Sequence, residues 1–283
     1  MGRFSAMASP CEVLMELEDE DSARNLLSAI AACAWRIERK YSRYRDDNII
    51  AQINSSDGRA IRVDDETASL LDFADHVHRL SSGMFDITSG VLRKAWTFDG
   101  GEQTPARREL DSLLPLVGWE KVQWQRPEIT LRPGMQIDFG GIGKEYAVDQ
   151  AILIAASQVD APVLINFGGD LAVTGSRRGD RPWRVGIEGI TGEPHNAVKL
   201  IELSAGALAT SGDTYRFVES KGVRLPHILD PHDGRPVRNA PRSITVAAPN
   251  CTQAGMFCTL AMLQGPIAES FLQTEGVRHW IQR

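Results

Sequence analysis

At 283 residues the chain suits one large domain or two small ones, and its 42% apolar and 24% charged content is that of an ordinary globular protein. A net charge of −6 excludes the broad basic face on which non-specific nucleic-acid binding depends, while leaving room for a local anion pocket. No run approaches the ~18–20 apolar residues of a membrane helix, and the opening Met1-Gly-Arg-Phe-Ser-Ala-Met-Ala-Ser-Pro10 has no apolar stretch of a secretory signal.

Residues 11–17 place Val13, Met15 and Leu17 on one face of a strand. Leu26, Ile30, Ala34, Ile37 and Tyr41 recur at helical spacing behind the cap candidates Asp21 and Ser22. A second helix is predicted from Asp65 to Leu80, with Leu71, Ala74 and Val77 inward; His76 and His78, two apart, point to different sides and read as surface residues. The polar stretch Asp99–Arg108, with Gly100, Gly101 and Pro105, reads as a loop. Short strands are predicted at 121–125, 129–132 and 135–139, then a helix over 144–157. Strands follow at 162–167 and 171–175, broken by Gly168-Gly169, and near 183–188, 197–203 and 242–248, before a last apolar helix over 252–264. Strands that do not alternate regularly with helices predict an α+β fold. Without repeats or long linkers, 1–283 reads as a single domain. Cys11, Cys33, Cys251 and Cys258 form no CxxC and read as buried small hydrophobes. The expected compartment is therefore the cytoplasm, in the absence of a leader from this sequence, with neither nucleic acid nor membrane as partner.

Four segments carry chemistry. In Ile137-Asp-Phe-Gly-Gly-Ile-Gly-Lys-Glu-Tyr-Ala-Val-Asp149 a strand meets a glycine turn and a helix opening near Lys144, an arrangement that lets backbone N–H groups and the helix dipole receive an anion. It is neither a Rossmann fingerprint, since Tyr146 stands where the third glycine belongs, nor a Walker loop, since Glu145 follows the lysine. Lys144 adds a mobile positive charge there. Leu164-Ile-Asn-Phe-Gly-Gly-Asp-Leu171 reads as a hairpin with Asn166 and Asp170 beside its glycines, and Ala209–Arg216 is a loop dense in polar groups. His227-Ile-Leu-Asp-Pro-His-Asp-Gly-Arg235 is a turn in which His227 is suited by its ordinary pKa to proton transfer near neutrality, with His232 solvated at the apex.

In order, Met7–Pro10, Tyr41-Ser-Arg-Tyr44, Gly83-Met-Phe-Asp-Ile-Thr88, Asp138–Asp149, Asn166–Asp170, Thr210-Ser-Gly-Asp213, His227-Ile-Leu-Asp-Pro231 and Ala247–Cys251 through Thr259 resemble the ApbE family of FAD:protein FMN transferases. The resemblance implies a two-lobed α+β fold with a T-fold-like core and an FAD site between the lobes. It places Met7, Met84, Phe85, Asp86, Asp138, Lys144 and Ile228 on the flavin nucleotide, and His227, with Lys144, in the chemistry. Members move FMN from FAD to a threonine or serine of an acceptor protein with release of AMP, or hydrolyse FAD to FMN and AMP. They use Mg²⁺, whose oxygens here would come from the Gly141 carbonyl and Thr259. The chain departs from the family at three positions. Gly255 stands where a metal-binding aspartate belongs, Glu145 where glycine follows the lysine, and Leu225 where a tyrosine precedes the histidine. These departures add a third alternative, a non-catalytic FAD-binding protein, and imply weak Mg²⁺ binding that Gly255→Asp should improve. Glu145 has three readings: it replaces the lost carboxylate, it repels the pyrophosphate, or it is an exposed glutamate near a helix N-terminus.

Overall fold

The computed structural model describes residues 1–190, 197–213, 216–220 and 222–283. In chain order the elements are β1 (Gly2–Ala6), β2 (Ser9–Met15), α1 (Glu20–Tyr41), α2 (Ile49–Asn54), β3 (Ile61–Arg62), α3 (Asp65–Leu80) and α4 (Arg107–Leu113). There follow β4 (Gln123–Gln125), β5 (Glu128–Thr130), α5 (Gly143–Gln158), β6 (Val163–Phe167), β7 (Asp170–Val173), β8 (Trp183–Glu188), β9 (Ala197–Leu203) and β10 (Gly206–Gly212). The chain ends with β11 (Phe217–Ser220), β12 (Val223–Pro226), β13 (Ser243–Ala248), α6 (Cys251–Leu263), α7 (Ala268–Thr274) and β14 (Arg278–Gln282). Seven strands form the main sheet in the order β1-β2-β6-β7-β10-β13-β14, every neighbouring pair antiparallel. The fold is α+β, as the irregular strand–helix order predicts.

Period-two alternation gives each face of this sheet its own core. Val13, Ile165, Phe167, Ala207, Ala209, Ile244 and Val246 face a helical layer, where they meet Leu26, Ile30 and Ile37 of α1, Ala147 and Ala151 of α5, and Ala254 and Cys258 of α6. Their strand neighbours Leu164, Leu171, Val173 and Leu208 point the other way, onto Trp183, Ile187, Ile201 and Leu203 of the β8–β9 hairpin. The helical core continues into α3 and the small sheet β3-β5-β4, through Leu71, Val77, Ile129 and Leu131.

Several expectations need correction. α1 begins earlier than predicted, because Asp19 rather than Asp21 or Ser22 caps it by accepting from the Ser22 N–H at 2.8 Å. The first predicted strand is shifted to Ser9–Met15, so Leu17 lies beyond it. Residues 135–139 form no strand. Asn54 holds Ile137 there instead, receiving its N–H at 2.7 Å and donating to its carbonyl at 3.0 Å. The loop predicted to Arg108 yields to α4 at Arg107. Within Ala209–Arg216 the first four residues belong to β10 and pair with β13, and Thr214 and Tyr215 lie outside the described residues. The predicted last helix is followed by α7 and β14. α3 runs over the predicted Asp65–Leu80 with Leu71, Ala74 and Val77 buried, but His78 is half-buried and its Nδ1 lies 3.1 Å from the Phe85 carbonyl. All four cysteines are buried and unpaired.

Candidate active site

One cleft of about 1360 Å³ is lined by the main sheet, the start of α5, the β8–β9 hairpin and the segments carrying Met84–Asp86 and His227. That exceeds the ~300–1,000 Å³ of ordinary small-molecule pockets and leaves room for an extended ligand. Met7, Met84, Phe85, Asp86, Asp138, Gly141, Lys144, His227, Ile228 and Thr259 all line it. Sequence separations of more than 200 residues are thus closed by the fold into one surface.

Met7 arrives on the β1–β2 turn, where Met7 and Ala8 hold φ of 53° and 54°. Left-handed backbone at two non-glycine residues is a local strain of the kind held at ligand sites. The Phe85 turn is fixed from behind. Ser81 Oγ accepts the Phe85 N–H at 2.9 Å, and the Asp86 carboxylate accepts from the Thr88 N–H, the Thr88 hydroxyl and the Trp119 N–H at 2.8, 2.6 and 2.9 Å. Those bonds occupy the Asp86 oxygens, so this residue shapes the cleft wall rather than offering a free carboxylate. His78, Asp86 and Glu120 bring potential ligand atoms within 4.8 Å of one another, but the same bonds already occupy Asp86. Asp138 is likewise engaged: its Oδ2 pairs with Arg43 at 2.8 Å and its Oδ1 accepts the Gly140 N–H at 2.8 Å.

Lys144 is not the mobile charge expected. Its Nζ lies 2.8 Å from Asp170 Oδ2, and Asp170 Oδ1 accepts the Thr210 N–H at 3.0 Å. Burial pulls the Lys144 ammonium down, but Asp170 and Glu145 more than offset it and hold it above the ordinary lysine value. Glu145 is the larger departure from expectation: it is buried, not exposed, and its Oε2 has no hydrogen-bond partner among the described residues. Burial first, then Asp170, pushes its carboxyl up to about 7. A buried oxygen without a partner is costly unless something fills the position. Glu145, Thr259 and Gly141 all line the cleft, and a carboxylate, a hydroxyl and a backbone carbonyl are the kinds of hard oxygen donor that Mg²⁺ takes.

His227, also on the cleft lining, meets Phe98 edge-on at 6.3 Å, and Phe98 stacks on Trp96 at 5.4 Å. Its Nδ1 is buried without a partner among the described residues. Burial, then Arg216 and Arg93, lowers the imidazole to about 4, which leaves it neutral near pH 7. His232 stays exposed, its Nδ1 3.0 Å from Asp230. Sequence reasoning missed the cationic lining. Arg43, Arg93 and Arg216 all face the cleft, and burial pulls the Arg93 guanidinium below the usual arginine value. Arg43 and Arg216 sat within segments already singled out, yet nothing local distinguished them from surface arginines.

A model described as the ApbE family matches residues 7–280. A FAD:protein FMN transferase of Vibrio cholerae is 27% identical over 248 residues, spanning 86% of this chain and 74% of the relative. Its counterpart in Escherichia coli K12 is 25% identical over 249 residues, spanning 83% and 70%. Among solved structures, the ApbE protein of Thermotoga maritima is similar with a TM-score of 0.88 at 30% identity, over 99% of this chain and 92% of that one. The apo flavinyl transferase ApbE of Pseudomonas stutzeri shares the fold with a TM-score of 0.86 at 24% identity, over 99% and 89%.

Proposed function

The chain belongs to the ApbE family, and from that premise we propose that it is an FAD:protein FMN transferase, moving FMN from FAD to a threonine or serine hydroxyl of an acceptor protein with release of AMP. The observation that carries this reading is an extended cleft lined both by a buried imidazole held neutral and by a lysine at a helix N-terminus. Met7, Met84, Phe85 and Ile228 supply apolar contact for a flavin ring, with Asp86 and Asp138 fixing the walls behind it. The acceptor oxygen forms a new bond to the FMN phosphorus, the anhydride P–O bond breaks, and AMP leaves with the bridging oxygen. His227, neutral before reaction, takes the hydroxyl proton as the oxygen attacks. Two phosphates placed beside Arg93 and Arg216 would offset the charges that hold His227 down, so substrate itself makes it a better base. Lys144 and the α5 N-terminus oppose the negative charge developing on phosphate oxygens. Mg²⁺, when bound, supplies further neutralisation of that charge.

A second hollow of about 680 Å³ shares Arg43, Arg93, Arg216 and His227 with the main cleft. Two hollows meeting at one imidazole favour a two-substrate reaction over simple flavin storage. Incubation with FAD, Mg²⁺ and a candidate acceptor tests the assignment through AMP release and acceptor mass. Acceptor-dependent AMP with a mass gain is expected. AMP without acceptor would make the protein an FAD pyrophosphatase, and bound FAD with no AMP would make it a flavin binder.

A further inference from the structure

Gly255 lies inside α6, a position where glycine is less favourable than alanine. The fold supplies a reason for it. A Cβ at position 255 would lie 2.6 Å from Glu145 Cγ, 2.9 Å from Cδ and 2.8 Å from Oε1. Glu145 therefore occupies the volume a side chain at 255 would need, so a larger residue there requires the glutamate side chain to move. The carboxyl so placed sits beside the α6 face that also carries Thr259, four residues and about one turn on from Gly255. Glu145 and Thr259 line the cleft, and Glu145 Oε2 is buried without a partner among the described residues. Lys144, its neighbour on α5, is paired with Asp170 at 2.8 Å.

We propose that Glu145 is the anionic ligand of a hard divalent cation in this cleft, delivered from α5 into the space that a side chain at position 255 of α6 would otherwise fill. The proposal rests on the transferase reading only for the identity of the cation, Mg²⁺. It makes Glu145 and Gly255 one coupled pair, the carboxylate of one filling the space left open by the other. It also reverses the expectation that Gly255→Asp alone improves the site, because the new side chain would meet Glu145.

The test measures Mg²⁺ binding calorimetrically, with and without FAD, and melting temperature, in the natural protein, Glu145→Gln, Gly255→Asp and the double variant Glu145→Gly/Gly255→Asp. Loss of a group that merely orients a ligand costs 10–100-fold in metal affinity, so Glu145→Gln should weaken Mg²⁺ at least about tenfold while keeping the fold. Gly255→Asp should lower the melting temperature, and the double variant should recover both melting temperature and Mg²⁺ binding. Unchanged Mg²⁺ affinity in Glu145→Gln, or a Gly255→Asp protein as stable as the natural one, would overturn the proposal. The two readings fail separately. Glu145-dependent Mg²⁺ binding without AMP release or acceptor labelling sinks the transferase and leaves the ligand assignment standing. Acceptor labelling that persists in Glu145→Gln with unaltered Mg²⁺ dependence does the reverse.

Discussion

His227 shows how one side chain acquires a role from its surroundings. Burial, then Arg216 and Arg93, takes its pKa from 6.5 to about 4, so at neutrality it arrives as a base with no proton to lose. His227→Ala should lower turnover by about 10²–10⁴-fold, the usual range for acid–base help, while FAD affinity measured by fluorescence titration stays within a few-fold. Near-normal turnover would leave the histidine a structural residue. The same shift ties His227 to stability. Between about pH 6.5 and 4 the unfolded chain binds this proton and the folded chain does not, so stability present above 6.5 falls as the pH drops. His227→Gln should therefore lose less melting temperature than the natural protein between pH 7 and pH 5. An equal loss would show that other groups carry that pH dependence.

Among the elements, the β1–β2 hairpin holds the clearest compromise between stability and position. Both of its turn residues are left-handed although neither is glycine, and Met7 reaches the cleft from that turn. Ala8→Gly should relieve strain, partly offset by the greater freedom of glycine in the unfolded chain, for a net gain of up to about 1 kcal/mol in urea unfolding. A loss of stability would mean that the turn is not strained. α5 matters through both of its first polar residues: Lys144 reaches across to β7 at Asp170, while Glu145 points into α6. Its N-terminus has no side-chain cap, and its first N–H, that of Gly143, donates instead to the Phe139 carbonyl at 2.8 Å.

For the whole molecule, the decisive feature is the meeting of two hollows at His227, with arginines shared between them. If the smaller one admits the acceptor, blocking it should separate the two substrates. Thr97 is exposed on its lining. Thr97→Trp should cut acceptor labelling at least about tenfold with FAD affinity unchanged, the pattern expected when a contact specific to one partner is lost. Equal labelling by mass spectrometry would send the acceptor elsewhere. The β8–β9 hairpin closes the far face of the sheet, and its Val185, Gly186, Ile187 and Glu188 also border the main cleft, which couples that second core to the site. Among the described residues no helix is long and apolar enough to cross a membrane.

Local pattern was enough for much of the frame. The periodicity of Leu71, Ala74 and Val77 located α3, the glycine pair between two apolar runs located the β6–β7 hairpin, and the ordered motifs brought the family and its ten residues together. These signals reside in neighbours along the chain, where backbone geometry sets the spacing. Sequence alone could not order the seven strands, nor find β10 in a polar segment, because pairing partners and not composition made it a strand. Nor could it choose among three readings of Glu145. That choice depended on whether the residue faced water or the glycine 110 positions later in the chain, and only packing α5 against α6 put the carboxyl in the volume that Gly255 leaves open. The charge of a carboxylate is written in the sequence, but its burial, its unpartnered oxygen and its neighbours arise from contacts between distant segments.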